Sequence, residues 1–299
     1  MADTSAPSMT KDPLLAWGLT RSELRGLIER ALAEDVGSGD VTTQLTVPRD
    51  LGACGEFIAK QEIVVAGLPV VEEVFLVLDP SIEFQALAAE GAHVAAQTHL
   101  ARVTGKASTL LAGERVALNF LQRLCGVATF TRQFVAKLAG LKTMLLDTRK
   151  TTPGLRSLEK YAVRMGGGHN HRLRLDEGIL IKNNHLTLAG GIHAAVEGAW
   201  ERRRAMGSSL PIEVEVRSLV ELEEAIGSGA DAVLLDNMSP AEVGTCVERA
   251  RGRVRLEVSG GINLENIRAY AETGVDCISV GALTHSAPAA DIHFLVEPV

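Results

Sequence analysis

Hydrophobic and polar positions fall into two regimes along this chain. In the first, TRSELRGLIERALA sets Leu24, Leu27, Ile28 and Ala31 at helical spacing behind a Thr20–Glu23 capping pair, which predicts a helix over 20–33. EDVGSGDVTT reads as a loop. GEFIAKQEIVVAG is strand-like and stops at Gly67, LPVVEEVFLVL reads as a helix, and SIEFQALAAEGAHV returns to strands. The long pattern STLLAGERVALNFLQRLCGVATFTRQFVAKLAG predicts two helices, or one kinked at Gly126. Residues 1–13 are polar and read as a disordered lead-in.

From Lys142 the rhythm becomes alternation. KTMLLDT, GILIK, PIEVEV, AVLLD, VRLEVSGG and CISVGAL are short, nearly continuous apolar runs, and amphipathic stretches such as IHAAVEGAWERRRAMG and LVELEEAIGSG separate them. A short helix is expected around Tyr161. Apolar strands alternating with amphipathic helices imply parallel β/α units covered on both faces. About six or seven such units predict an α/β barrel, possibly left open. The tail DIHFLVEP has strand character and is expected to pair back with the first region.

A chain of 299 residues accommodates such a barrel and a smaller domain, and 46% hydrophobic content supplies a core. No apolar run approaches the ~18 residues of a membrane span, and the N-terminus carries no signal-peptide core. A net charge of −7 argues against nucleic acid as the main partner. Cys54, Cys125, Cys246 and Cys277 form no CxxC spacing and read as reduced thiols of a cytoplasmic protein.

Within this acidic chain the segment from Asp147 to Lys182 is densely cationic. It holds Arg149, Lys150, Arg156, Lys160, Arg164, Arg172, Arg174 and Lys182, together with His169, His171 and a run of three glycines at 166–168. Concentrated positive charge attracts anions, and Arg recognises carboxylate or phosphate with two prongs. Reacting groups of parallel barrels sit at the C-terminal ends of strands. Those ends supply Asp147, Arg149 and Lys150; Lys182 and His185; Glu213 and Glu215; Asp236; Glu257, Ser259, Gly260 and Gly261; and Gly281 and His285. SGGI and SVGAL, in consecutive late units, suit a phosphate cradle of backbone N–H groups. Glu215 and Asp236 could hold sugar hydroxyls, face a hydrated magnesium ion, or stabilise developing positive charge. Metal ligation by His169 and His171 is disfavoured by the adjacent Arg172 and Arg174. Arg115 and Arg123, on an apolar helix, read from spacing alone as solvated or snorkelling.

Nine ordered segments between Glu34 and Ser286 resemble the quinolinate phosphoribosyltransferase family: EDVGSGDVTT, ERVALNFLQRLCGVAT, DTRKTTPGLR, GGGHNHR, LIKNNH, EVEV, LLDN, EVSGGI and SVGALTHS. The resemblance implies an N-terminal α/β sandwich over 1–126, joined by a C-terminal strand within 287–299, and an open seven-stranded parallel α/β barrel over 127–286. It implies a homodimer in which Arg115 reaches the partner's active site. Quinolinate would be held by that Arg115 with Thr148, Arg149, His171, Arg172 and Lys182. Phosphoribosyl pyrophosphate (PRPP) would meet Lys150 and Lys182 at its pyrophosphate, and Ser259, Gly260, Gly261, Gly281 and His285 at its 5-phosphate. Lys150, Lys182, Glu215 and Asp236 would carry catalysis. Mg2+ would arrive with PRPP near Glu215 and Asp236, with no direct protein ligand and no organic cofactor. His169 is incidental in this reading, and Arg174 departs from the family pattern.

The implied reaction yields nicotinate mononucleotide, pyrophosphate and carbon dioxide in NAD biosynthesis. Two rivals stand beside it. One is a paralogous phosphoribosyltransferase for a related pyridine or base, which would need fewer cations around the acceptor. The other is a non-catalytic dicarboxylate-binding protein, which would gain nothing from Glu215 and Asp236.

Overall fold

The computed structural model describes residues 18–299; the lead-in expected over 1–13 lies outside the described residues. In chain order the elements are α1 (Arg21–Val36), α2 (Val41–Thr46), β1 (Gly52–Ala59), β2 (Ile63–Val64), α3 (Leu68–Leu78), β3 (Glu83–Ala86), β4 (His93–Val94), β5 (His99–Lys106), α4 (Ala107–Lys137), β6 (Met144–Leu146), α5 (Arg156–Met165), β7 (Ile179–Ile181), α6 (Asn183–Ala189), α7 (Ile192–Ala205), β8 (Ile212–Val216), α8 (Leu219–Gly227), β9 (Ala232–Asp236), α9 (Pro240–Ala250), β10 (Arg255–Ser259), α10 (Ile267–Ala271), β11 (Cys277–Ser279), α11 (Ala282–His285) and β12 (Ile292–Pro298). No helix among the described residues is long and apolar enough to cross a membrane.

The chain divides into two compact units. The first comprises the described residues up to Thr129, Thr152–Gly166 and Ala287–Val299; the second comprises Phe130–Thr151 and Gly167–Ser286. The expected barrel domain took in Thr152–Gly166, which instead groups with the first unit. The reason is in its side chains. Buried Glu159 accepts from Arg123 Nη2 at 2.7 Å and from the Thr152 hydroxyl at 2.7 Å, and Tyr161 donates its hydroxyl to Glu90. Glu90 also accepts from the Gly67 and Leu68 N–H groups, capping α3 where no side chain of its own does so.

In the first unit a four-stranded sheet runs β12-β1-β5-β3, and β12 pairs antiparallel with β1 along its length. Phe57, Phe75 and Phe294 form its aromatic core, the Phe57 and Phe294 rings standing 4.4 Å apart. Each buried aromatic contributes about 1.5–3 kcal/mol relative to exposure. Helix α1 begins where Thr20 and Glu23 complete their reciprocal cap and buries Leu24, Ile28 and Leu32. EDVGSGDVTT is less of a loop than its composition suggests, because Asp40 accepts from Thr43 N–H and starts α2. Helix α4 is continuous through Gly126. A Cβ at Gly126 would lie 2.1 Å from the Pro288 carbonyl oxygen, so this glycine permits a close backbone approach and does not break the helix.

In the second unit a six-stranded parallel sheet runs β6-β11-β10-β9-β8-β7. β6 and β7 are its ends, and His169 adds one parallel bridge to Leu146 on the β6 side. This is an open α/β arrangement of six paired strands among the described residues with one added bridge, where the family resemblance implied seven strands. β8 and β9 are buried on both faces, as near-continuous apolar parallel strands must be. Helices α8 and α9 start at Ser218 and Ser239, whose side chains accept from the N–H three residues on. α6 was not foreseen; its first turn is held by the Lys182 N–H donating to His185 Nδ1 at 2.9 Å.

Substituting Gly126→Ala should destabilise the fold by about 1–3 kcal/mol, the usual range for overpacking. The urea midpoint should fall with little change in helix content; an unchanged midpoint would contradict the close approach at Pro288.

Candidate active site

The ends of the parallel strands surround a cavity of ≈ 490 Å3 within the second unit. Thr148, Arg149, Lys150, His171, Arg172, Lys182, Glu215, Asp236, Ser259, Gly260 and Gly261 line it, and Leu180, Leu234, Asn237, Glu257 and Ser279 complete the wall. Strand alternation explains the selection. Along β8, Glu213 and Glu215 share a face; along β10, Glu257 and Ser259 do; along β9, Leu234 and Asp236 do. Parallel pairing sets Ser259 beside Asp236 and Ser279.

The cationic side is built on β6 and the segment bridged to it. Asp147, fully buried at the end of β6, accepts from the Asn170 amide at 2.6 Å and from the His171 N–H at 2.9 Å, which fixes the chain where His171 and Arg172 emerge. Arg172 Nη1 donates to the Gly178 carbonyl at 2.7 Å. The Nε atoms of Arg149 and Arg172 are buried without hydrogen-bond partners. Burial first, then the neighbouring Arg149, lowers the Arg172 pKa, and Glu213 partly offsets this. Two close guanidinium groups with unsatisfied donors make a site suited to a multiply charged anion.

The acidic side faces them. Glu215 lies 3.5 Å from Lys182 Nζ, and Asp236 lies 3.6 Å from Arg217 Nε while accepting from the Asn237 amide at 2.9 Å. The glycines have distinct reasons to be glycine. Gly260 has φ +99°, and a Cβ there would meet Asn237 Oδ1 at 2.2 Å; Gly261 has φ +64° and open space around it. Such left-handed turns expose backbone N–H groups to an anion.

Arg115, Gly281 and His285, named from the sequence, do not line this cavity. Arg115 belongs to the first unit, on α4, with its side chain 57% exposed. Gly281 and His285 flank the stem of Lys150: a Cβ at Gly281 would lie 2.9 Å from Lys150 Cδ and 3.2 Å from His285 Nε2. The Thr284 hydroxyl donates to the Lys150 carbonyl at 2.8 Å. His169 is exposed and contributes only its backbone bridge, and Arg174 pairs locally with Asp176 and Glu177. Sequence reasoning gave no role to Asn237, Ser279 or Glu257. Glu257 was visible as a strand-end acid, two positions before Ser259 on the same face, but a lone acid in an apolar strand carries no further signal.

Family models describe both parts of the chain. The quinolinate phosphoribosyl transferase N-terminal domain matches residues 40–125, and the C-terminal domain of the same family matches residues 127–295. A probable nicotinate-nucleotide pyrophosphorylase (carboxylating) from Synechocystis sp. is 45% identical over 268 residues, covering 89% of this chain and 90% of that one. The Bacillus subtilis protein of the same description is 42% identical over 270 residues, covering 90% and 92%. Among solved structures, the nicotinate-nucleotide pyrophosphorylase from Francisella tularensis superposes with a TM-score of 0.89 at 41% identity, covering 93% of this chain and 98% of that one. With both domain models matched in order and relatives similar across nearly their full length, this chain belongs to the quinolinate phosphoribosyl transferase family.

Proposed function

We propose that this protein is a pentosyltransferase that transfers phosphoribosyl from PRPP to quinolinate with decarboxylation, giving nicotinate mononucleotide, pyrophosphate and carbon dioxide for NAD biosynthesis. The observation that carries this reading is the single cavity in which Arg149, Arg172, Lys150 and Lys182 meet Glu215, Asp236 and the Gly260–Gly261 turn. An acceptor with two carboxylates accounts for the paired guanidinium groups. A sugar that develops positive charge accounts for carboxylates in an anion site.

Both substrates are anionic and repel each other in water, and the cationic wall removes that repulsion. Thr148, Arg149, His171, Arg172 and Lys182 hold quinolinate. Lys150 and Lys182 face the pyrophosphate. Ser259, Gly260 and Gly261 receive the 5-phosphate, with Gly281 and His285 keeping the Lys150 stem in place. As pyrophosphate leaves, positive character grows on the anomeric carbon, and Glu215 and Asp236 stabilise it electrostatically. The pyridine nitrogen then bonds to that carbon and becomes a pyridinium. Its fixed charge stabilises the in-plane electron pair left on the ring carbon when the adjacent carboxylate departs as carbon dioxide, and a proton from solvent then bonds to that carbon. A magnesium ion brought by PRPP would keep its waters, and Glu215 and Asp236 would face it through them with no direct protein ligand. When bound, that ion neutralises charge on the pyrophosphate.

The catalytic unit in this reading is the second one, Phe130–Thr151 with Gly167–Ser286. The enzyme acts as a cytoplasmic homodimer whose Arg115 completes the neighbouring subunit's quinolinate site. Support for the dimer comes from the exposure of Arg115 on α4 and from an open apolar groove beside edge strand β7, where Leu175 and Leu188 are exposed. Four free cysteines suit the cytoplasm.

Incubation with quinolinate, PRPP and magnesium should release carbon dioxide and form nicotinate mononucleotide, whereas nicotinate in place of quinolinate should be turned over poorly. Equal rates with the two acceptors would instead indicate the paralogous activity, and no product with either would rule out both. Arg172→Ala should weaken quinolinate binding about tenfold or more, given ~1.5–3 kcal/mol for a charged hydrogen bond, while sparing PRPP. Equal weakening of both ligands by calorimetry would remove Arg172 from the acceptor site.

A further inference from the structure

Behind the cationic wall lies a pair of buried acids, Glu213 and Glu257, that the reaction above does not use. His171 Nε2 stands 3.4 Å from Glu213 Oε2 and 3.6 Å from Glu257 Oε2. His171 Nδ1 accepts the Arg172 N–H at 2.8 Å, so the neutral ring carries its hydrogen on Nε2, aimed between the two acids. Glu257 is fully buried, neither of its carboxylate oxygens accepts a hydrogen bond within normal reach, and Glu213 Oε1 is buried and unsatisfied as well. Two close buried carboxylates cannot both ionise cheaply. The three donor atoms lie within 4.8 Å of one another, the chemistry of a metal site, but Arg172, with Arg149 beside it, stands close enough to Glu213 to oppose a dication there.

The groups around Glu257 can be named strand by strand. On its own strand is Arg255. β9 presents Leu234 and β11 presents Cys277 as paired neighbours, with Ser279 beyond; Glu213 comes from β8, and His171 comes from the bridged segment. Desolvation, then Glu213, pushes the Glu257 carboxyl up to about 7, against partial relief from His171, Ser279 and Arg255. Cys277 stays a thiol, pushed up to about 11 chiefly by burial. Burial and the close Glu213 carboxylate thus favour a protonated Glu257, and it lines the same cavity as Arg149 and Arg172.

We propose that Glu257 is a specificity-determining residue that couples acceptor binding to proton uptake: a dicarboxylate entering the cavity draws one proton from solvent onto the Glu257 carboxylate. The step is a simple protonation, in which an O–H bond forms on Glu257 and the buffer supplies the proton. It favours a dianion over a monoanion for an electrostatic reason. Ionised Glu257 and Glu213 cancel part of the charge of Arg149 and Arg172, and each added ligand charge makes ionised Glu257 costlier. Discharging Glu257 restores net positive charge to the wall when two carboxylates need it. The sign follows from linkage: a site that binds more protons when filled loses affinity as pH rises. This inference rests on quinolinate being the acceptor.

The test is calorimetric titration of quinolinate into the intact protein, with a chelator present, in two buffers of different ionisation enthalpy from pH 6 to 8.5. Wild-type protein should take up a fraction of a proton, up to about one, per quinolinate, and its Kd should rise by up to about tenfold per pH unit above pH 7. Nicotinate should draw less. Glu257→Gln, a mimic of the protonated state, should abolish the uptake, flatten the pH dependence and bind quinolinate more tightly than wild type at pH 8. Quinolinate binding with no proton uptake in wild type, or uptake undiminished in the Gln variant, would overturn the role of Glu257 while leaving the proposed reaction standing. No quinolinate binding at any pH would overturn both. If the Gln variant fails to fold, the wild-type buffer comparison decides alone.

Discussion

Parallel pairing of β7-β8-β9-β10-β11-β6 is the constraint on which this site depends. Every strand in such a sheet points the same way, so every strand's last residues and following loop arrive at one rim. Residues as distant in sequence as Thr148 and Ser279 therefore line one cavity. No local interaction could gather them. The charged side chains need only stand one or two positions past an apolar run, and the sheet does the rest.

The rim is then sorted by charge. Guanidinium and ammonium groups rise from the end of β6, the bridged segment after the glycines, and the end of β7. Carboxylates rise from β8 and β9. The Gly260–Gly261 turn after β10 presents backbone, and at Gly260 a side chain would collide with Asn237. A layer below, Glu213 and Glu257 face His171. Cation wall, acid pair and buried acids form one electrostatic unit, in which the charge of each part sets what the others can bind.

Much of this was legible in the residues. The change from mixed periodicity to apolar runs and amphipathic helices marked the α/β region, and the strand-end rule selected most of the cavity wall, including Lys150, Lys182, Glu215, Asp236 and the SGG turn. Three things were not legible. Gly126 looked like a helix break because the sequence does not reveal the Pro288 carbonyl packed against it. Thr152–Gly166 looked like barrel because its bonds to Arg123 and Glu90 are long-range, and composition carries no trace of them. Glu257 looked like one acid in a strand because its meaning lies in the lack of a hydrogen-bond partner, a property of three-dimensional packing. In each case local pattern gave the element and distant contacts gave its purpose.

The central claim is that Arg149 and Arg172 form the acceptor site for a dicarboxylate. A crystal structure of this protein with bound quinolinate tests it most directly. The expected result is both carboxylates in the second-unit cavity, with the Arg149 and Arg172 Nε atoms within hydrogen-bond distance of carboxylate oxygens. Quinolinate bound elsewhere, or bound in the cavity with both Nε atoms still unpaired, would contradict it.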